Sequence, residues 1–284
     1  MTLRNLDTAA LTLGFLSIGA QAEPIEVLRA AAGAGFGAAG LRISGRAPGD
    51  AWPSVPTPGA LDRVRETAQE LRVRISSISG YYISDKTRIE HLLCNVEAAR
   101  RVGAPLIAQG CFEPDPRRAA SLLRDYAQAA QDAGIRIAIE FMPMSSLRSI
   151  TDVQRIVSAS GSGNVGLLID ALHLARSGAG GDDVRQLDPA SIYVVQLCDA
   201  AAALPQGTSL FDEAMSGRMY PGDGGLELAA LLEALPAEVE IELETPVTAD
   251  SGLPAAEKAR KAAAKASAFF SRLAPPALAG RGSA

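Results

Sequence analysis

Short apolar stretches alternate along the chain with longer amphipathic ones. The apolar stretches are four to seven residues long and rich in Val, Ile and Leu, as expected of strands that are buried on both faces. Strands that alternate with helical stretches predict βα units around a parallel sheet. Eight strands are predicted in this way, at residues 11–17, 39–43, 73–79, 105–108, 136–141, 165–170, 192–197 and 238–244.

Helical patterns lie between these strands, and several end at a glycine, the residue typical of helix C-termini. Each predicted strand is followed by a helix or by enough chain to form one. This regularity predicts a single closed (β/α)8 TIM barrel, although the pattern is also compatible with an open doubly wound sheet. The clearest helices are predicted at residues 24–34, 61–71, 86–102, 116–133, 151–160 and 255–273.

Length and composition agree with one domain. The chain has 284 residues, of which 48% are hydrophobic, and a barrel of this type takes about 250 residues. We therefore predict a barrel over residues 1–274. The last residues, 275–284, are mostly Pro, Gly and small residues, which bury little surface, so we expect them to be disordered.

Charge and apolar content exclude several classes of partner. The formal charge of −5 and the absence of a Lys/Arg cluster argue against nucleic acid. The apolar run at residues 9–20 is too short to span a bilayer and lacks a basic leader, so we expect no membrane partner. Three cysteines without a CxxC pair suit a cytoplasmic protein. The sequence is compatible with a homo-oligomer but does not specify one.

Acidic residues end three of the predicted strands. Glu140 ends the fifth strand, Asp170 the sixth and Glu244 the eighth. Because catalytic groups in such barrels stand at the carboxyl ends of the strands, these carboxylates should meet at one mouth, where a hard divalent ion would relieve their repulsion. Glu240 and Glu242 lie on the same face of the eighth strand as Glu244, so spacing does not single out the ligand, although Glu244 is nearest the rim.

Other polar and aromatic residues are candidates for the same pocket. His173 follows Asp170 by three positions and is a candidate proton shuttle or substrate donor. His91, in contrast, lies in a helical pattern, where we expect a structural role. The segment at residues 221–225 favours a plain turn over a phosphate-binding loop. The remaining pocket candidates are Arg42, Arg218, Tyr81, Tyr82 and Trp52.

These motifs resemble the sugar-phosphate isomerase/epimerase family of xylose-isomerase-like TIM barrels. The resemblance is carried by residues 137–143, 164–173, 220–224 and 243–246. It implies that Glu140, Asp170 and Glu244 bind one divalent ion, with Mn²⁺, Mg²⁺ or Co²⁺ preferred and Zn²⁺ a further candidate. It also implies that the two glutamates serve as acid and base, while His173 contacts the substrate.

The seventh strand departs from the family pattern. Many members place a metal-binding histidine at its end, where this chain has Gln196. We assign Gln196 as the fourth metal ligand, since an amide oxygen can replace imidazole around a hard ion, although more weakly.

The expected activity is metal-assisted proton abstraction next to the carbonyl of a small sugar, keto-sugar or keto-polyol, giving an isomerase or epimerase. Two alternatives stay open, a dehydratase that uses the same metal site and a non-catalytic sugar-binding barrel. Schiff-base chemistry is disfavoured, because no lysine ends a predicted strand.

Overall fold

Eight parallel strands close into a barrel in sequence order in a computed structural model, which describes residues 6–50 and 57–273. This confirms the predicted (β/α)8 barrel. Trp52 and the tail at residues 275–284, both subjects of the sequence analysis, lie outside the described residues. The strands are β1 Thr12–Gly14, β2 Ala38–Arg42, β3 Arg74–Ser79, β4 Leu106–Gly110, β5 Arg136–Glu140, β6 Val165–Asp170, β7 Ile192–Leu197 and β8 Glu240–Leu243.

Helices surround this barrel, and the last one packs against the first. The six helices predicted from sequence are all present, with ends that shift by at most three residues. The helices are α1 Pro24–Ala34, α2 Pro58–Leu71, α3 Ile89–Val102, α4 Pro116–Asp132, α5 Ile150–Ser160, α6 Ala171–Arg176, α7 Gly181–Arg185, α8 Leu210–Ser216, α9 Leu228–Ala234 and α10 Ala255–Leu273.

Local chemistry explains where these helices begin and end. Asp115 and Ser149 accept hydrogen bonds from the first turns of α4 and α5, which satisfies backbone donors that have no partner inside the helix. Gly161 closes α5 in the left-handed region, at φ 69°, a conformation that costs glycine little. These caps allow each helix to stop and the chain to turn back into the barrel.

Two apolar layers hold the barrel together. The small inner layer consists of Leu106, Ala138, Leu168 and Val194, which fill the interior between strands β4 to β7. The larger layer lies between the strands and the helices. Side chains fill the interior, so the barrel is a packed core and not a pore. A functional site in this fold is expected at the mouth, where the carboxyl ends of the strands meet.

The first strand is shorter than predicted. Residues 11–17 have a continuous strand pattern, but the strand stops at Gly14 and a 3-10 helix covers Phe15–Ser17. The Ser17 hydroxyl donates to the backbone oxygen of Leu243 at 2.8 Å. The chain turns here because Ser17 binds the end of β8, and the turn brings Phe15 to the mouth of the barrel.

None of the described helices is both long enough and apolar enough to cross a bilayer.

Candidate functional site

A pocket opens at the carboxyl ends of the strands, the place where barrels of this kind bind their ligands. Polar and charged groups converge on one part of its wall, and aromatic and methionine side chains form the rest. The polar lining includes Arg42, Arg46, Ser77, Ser79, Glu140, His173, Gln196, Arg218, Glu242 and Glu244, and the apolar lining includes Phe15, Tyr82, Phe112, Met142, Met144, Phe211 and Met215.

Arg218 lies between two of the three acids predicted to meet here. Its Nη2 is 3.0 Å from Oε2 of Glu244, and its Nη1 forms an ion pair with Asp170. The Nε atom donates to the backbone oxygen of Ala214 in α8 at 2.9 Å, so helix α8 holds the guanidinium in place. Asp170 is fully buried beneath this guanidinium and does not line the cavity itself.

The surroundings of Asp170 and Glu244 shift the pKa values of these two carboxyl groups in opposite directions. Burial by itself would raise the pKa of Asp170, but the charges of Arg218 and His173 bring that pKa below its usual value. Burial likewise raises the pKa of Glu244, and the Arg218 charge opposes this shift. Asp170 is therefore ionised at neutral pH, and the Arg218 ion pair favours the charged form of Glu244.

Glu140 stands in a different environment. Burial, followed by the charges of Glu244 and Asp170, holds the pKa of Glu140 well above its usual value. The charges of Arg218 and Arg46 oppose this shift without cancelling it, and Nε2 of His173 lies 3.6 Å from Oε1 of Glu140. However, burial lowers the pKa of His173 to about 4, so the imidazole is neutral at pH 7. The backbone nitrogen of His173 donates to Asp170 at 2.9 Å, which fixes the start of α6.

Glu242 is a further acid of this site. Its position on the same strand face as Glu244 was predicted from the sequence, but Glu244 was assigned as the ligand instead. Glu242 accepts hydrogen bonds from Gln196 at 2.8 Å and from Ser77 at 3.3 Å. Burial and the charge of Glu244 raise the pKa of Glu242 to about 8. Its carboxyl group fits only because Gly14 and Gly40 have no side chains: a Cβ at Gly40 would lie 2.2 Å from Oε2 of Glu242. These two glycines, which are paired across β1 and β2, were the available sequence signal.

The oxygen donors of the site suit a hard divalent ion. Besides the carboxylates, Gln196 presents a buried Oε1 atom with no hydrogen-bond partner, and an orphaned buried oxygen is well served by a cation. Among the described residues, however, no group of three or more His, Cys, Asp or Glu side chains could hold a metal ion. Asp170 and Glu244 are ion-paired with Arg218, so a metal would have to share both carboxylates with this guanidinium.

The aromatic prediction for this pocket needs one correction. Tyr81, proposed to contact substrate, does not line the cavity. Its ring instead packs 5.6 Å from that of His91, and its backbone is held by Asn95. Tyr82 lines the cavity, because successive residues of an extended chain point to opposite sides. His91 accepts a hydrogen bond from the Arg88 backbone at the start of α3, which agrees with its expected structural role.

The loop that follows β7 is organised by Asp199. The backbone nitrogens of Gly222 and Gly224 donate to Oδ2 of Asp199 at 2.9 and 3.0 Å. These amides are therefore already occupied by a carboxylate, which supports the plain-turn interpretation of residues 221–225. Arg176, on α6, pairs with the buried Glu213 on α8, so the helix that carries His173 is tied to the helix that supports Arg218.

Comparison with known proteins gives relatives that match part of the chain. The inosose isomerase of Bacillus velezensis is 30% identical over 138 residues, 47% of this chain and 48% of the relative. The inosose isomerase of Bacillus subtilis is 28% identical over 170 residues, 55% of this chain and 59% of the relative. The aligned region thus spans about half the length of these curated relatives.

Solved structures match over most of the chain, at low sequence identity. A crystal structure of the IolI protein with a bound zinc atom has a TM-score of 0.77 and 18% identity, and covers 93% of this chain and 99% of that one. The L-ribulose 3-epimerase structure has a TM-score of 0.68 and 16% identity, with 93% and 95% covered. The probable 3-DHS dehydratase AsbF of Bacillus anthracis has a TM-score of 0.70 and 14% identity, with 89% and 97% covered.

The family model described as Xylose isomerase-like TIM barrel matches residues 28–271. This range includes Glu140, Asp170, Gln196 and Glu244, as well as most of the barrel. The chain therefore belongs to the xylose isomerase-like TIM barrel family.

Proposed function

We propose that this protein is an isomerase or epimerase that moves a proton next to the carbonyl of a small polyhydroxylated compound. The observation that carries the proposal is the different environment of two glutamates in one cavity. Glu244 is held by donors from Arg218 at 3.0 Å and Gln196 at 3.2 Å. Among the described residues, none donates a hydrogen bond to the Glu140 carboxyl group, and its pKa is held well above its usual value by burial and by neighbouring acids.

This asymmetry supplies an acid and a base. Two carboxyl groups whose environments separate their pKa values can divide the roles, since the ionised one accepts a proton while the protonated one donates. Glu244 follows β8 and Glu140 ends β5, so they enter the cavity from different positions around the ring. A substrate between them would lose a proton to one carboxyl group and receive one from the other.

We also propose that Glu140, Asp170, Gln196 and Glu244 hold one divalent ion. The unpartnered Gln196 oxygen supports this assignment, as does the zinc atom in the similar IolI structure. When bound, such an ion polarises the oxygens of the substrate and makes the neighbouring carbon-bound proton more acidic. Arg218, paired with Asp170 and Glu244, keeps both carboxylates oriented and favours their ionised forms.

His173 is proposed to bind the substrate. Its neutral imidazole, beside Glu140, offers a donor or an acceptor to a hydroxyl group. The inosose isomerase relatives support a keto-polyol or a keto-sugar as the substrate class. The likeness to AsbF keeps a dehydratase as the second candidate, in which proton removal is followed by loss of a hydroxyl group.

The proposal is tested by proton exchange in heavy water. The purified protein would be assayed for metal content and for deuterium incorporation into inosose, a panel of ketoses, and keto-sugars that carry a phosphate or a carboxylate. We expect exchange with the wild type, and a loss of at least about a hundredfold with Glu140→Gln or Glu244→Gln, the range typical of a lost acid or base. Glu240→Gln is the matched control, because Glu240 lies at the opposite end of β8 and pairs with Arg74.

The outcomes separate the candidates. Full exchange in either the Glu140→Gln or the Glu244→Gln protein would remove the acid–base assignment. Exchange with loss of water would identify the dehydratase. Binding of these compounds without any exchange would favour the non-catalytic sugar-binding barrel.

A further inference from the structure

Two arginines of the cavity are not used by the proposed reaction. Arg42 ends β2, and Arg46 lies in the loop that follows it; both line the cavity together with the acids. Among the described residues, no carboxylate forms an ion pair with either guanidinium. This is unusual for Arg42, which is only 4% exposed, because a buried charge ordinarily has a paired partner.

The contacts of Arg42 leave most of its donors unused. Its guanidinium lies 5.0 Å from the ring centre of Phe15 and 5.6 Å from that of Tyr82. It donates two long hydrogen bonds, to the Ser44 backbone oxygen at 3.3 Å and to the Tyr82 hydroxyl at 3.4 Å. A guanidinium has five N–H donors, so these bonds do not saturate it. Burial lowers the pKa of Arg42 from its usual value, which reflects the cost of this environment.

Arg46 adds a second cation at the same place. Its guanidinium lies 6.0 Å from the ring centres of both Tyr82 and Phe211, and it donates to Sδ of Met215 at 3.0 Å. Aromatic faces and a thioether are weak partners for a full positive charge. Both arginines therefore share the Tyr82 ring, and neither is paired with a carboxylate among the described residues.

Glu244 is the acid of the cavity that acts on Arg42 through its charge. Its carboxylate, however, is already held by Arg218 at 3.0 Å and by Gln196 at 3.2 Å. Arg46 likewise acts on Glu140 and Glu244 through its charge, but among the described residues no carboxylate contacts Arg42 or Arg46 through its guanidinium.

We propose that Arg42 and Arg46 form a subsite for an anionic group of the substrate, a carboxylate or a phosphate. The inference rests on the proposed function and narrows its substrate class to hydroxylated carbonyl compounds that carry an oxyanion. Guanidinium groups bind both anions through paired N–H donors. The neighbouring rings of Phe15, Tyr82 and Phe112 form an apolar wall beside this subsite for the carbon frame of the ligand.

The subsite is tested by equilibrium binding, which does not depend on turnover. Calorimetric titration of the full chain would use D-glucitol 6-phosphate and D-gluconate as anionic probes and D-glucitol as the neutral one. We expect at least one of the two anions to bind at least about tenfold more tightly than glucitol, because charge-assisted hydrogen bonds are stronger than neutral ones. The two anions distinguish a phosphate site from a carboxylate site.

Substitutions of Arg42 and Arg46 then test whether these two residues cause the preference for anions. Arg42→Gln and Arg46→Gln should each lower anion affinity by about tenfold or more and lower glucitol affinity by a smaller factor. Arg29→Gln, on the exposed face of α1, is the control and should bind like the wild type. Arg46 is only partly buried, so the Arg46→Gln protein provides a test even if Arg42→Gln does not fold. The Arg42→Lys protein should retain part of the preference for anions over glucitol.

Equal binding of the three probes by the wild type, or unchanged anion affinity in the Arg46→Gln protein, would overturn the subsite. A failure of the proposed reaction looks different. In that case Glu140→Gln retains full proton exchange, or the wild type shows none, while the preference for anions is still measured.

Discussion

Gln196 donates a hydrogen bond of 2.8 Å from its side-chain Nε2 to Oε1 of Glu242. The same nitrogen lies 3.2 Å from Glu244, so one amide group links two acids on β8 and keeps its own oxygen unpaired. An imidazole at this position would offer a single ring atom toward the acids. The glutamine therefore holds both carboxylates and keeps its oxygen unpartnered, as the proposed role of Gln196 as a metal ligand requires.

Metal retention should depend on that oxygen. Gln196→Leu removes the donor and releases Glu242, so we expect Mn²⁺ affinity to fall by at least about tenfold, the loss that even outer-shell changes cause. Gln196→His should instead increase the preference for Zn²⁺ over Mg²⁺, because imidazole suits the softer ion. Equilibrium dialysis of chelator-treated protein followed by elemental analysis measures both effects. Unchanged Mn²⁺ affinity in Gln196→Leu would contradict the ligand assignment.

Arg218 should be important for stability as well as for the site. Arg218→Gln leaves Asp170 and Glu244 buried without their cation, and breaking a buried pair in this way costs about 3–5 kcal/mol. Urea unfolding of the metal-free protein measures this loss. Arg74→Gln removes an exposed ion pair with Glu240 and should cost no more than about 1 kcal/mol. Similar losses in the two variants would show that the Arg218 pairing has no special role.

The neutral state of His173 predicts a pH effect on stability. Burial lowers the pKa of His173 to about 4, whereas an unfolded histidine has a pKa of about 6.5. The unfolded chain binds a proton first as the pH falls, so this residue makes the protein less stable between pH 6.5 and pH 4. The wild type should lose about 3 kcal/mol relative to His173→Gln over this window. If the unfolding free energies of the two metal-free proteins differ by the same amount at pH 7, 5.5 and 4, the imidazole is not a buried neutral group.

Gly40 should not tolerate a side chain. A Cβ there would approach Oε2 of Glu242 to 2.2 Å and Oγ of Ser77 to 3.0 Å, so Gly40→Ala must displace the Glu242 carboxyl group. We expect a loss of about 1–3 kcal/mol, as in other overpacked interiors, together with weaker substrate binding. Gly59→Ala is the control, since the nearest atom to its Cβ is 3.8 Å away on a flexible arginine. Equal stability of both variants would show that Glu242 is not confined by the glycine.

The three thiols should differ in reactivity. Cys94 is exposed, whereas Cys111 and Cys198 are buried, and burial raises their pKa values to about 11 and about 12. Because the thiolate is the reactive form, native protein at pH 8 should react rapidly at one cysteine and unfolded protein at three. Labelling with a chromogenic disulfide reagent, followed by peptide mass spectrometry, identifies the modified residue. Arg218 donates to Sγ of Cys198 at 3.3 Å, so rapid modification of Cys198 in native protein would show that the surroundings of Arg218 open to solvent.

The strand and helix pattern of this chain was readable from sequence, because it depends on local periodicity and on short-range signals. Apolar runs such as residues 165–170 predicted their strands, and α10 Ala255–Leu273 has the ends expected from its pattern. The strand-end rule also led to Glu140, Asp170 and Glu244, since the last residue of a parallel strand reaches the same mouth whatever the rest of the barrel does. The family motifs supplied Gln196.

The partners of these residues were decided only by closure of the barrel. Arg218 and Asp170 are 48 positions apart in the chain, and Gln196 and Glu242 are 46 apart, so no local spacing could pair them. The same closure left Arg42 without an acidic partner among the residues that the structure describes. Local sequence determines which face of a strand carries a side chain, whereas hydrogen bonds and ion pairs across the mouth depend on which strands become neighbours and on the space that glycines such as Gly40 leave between them.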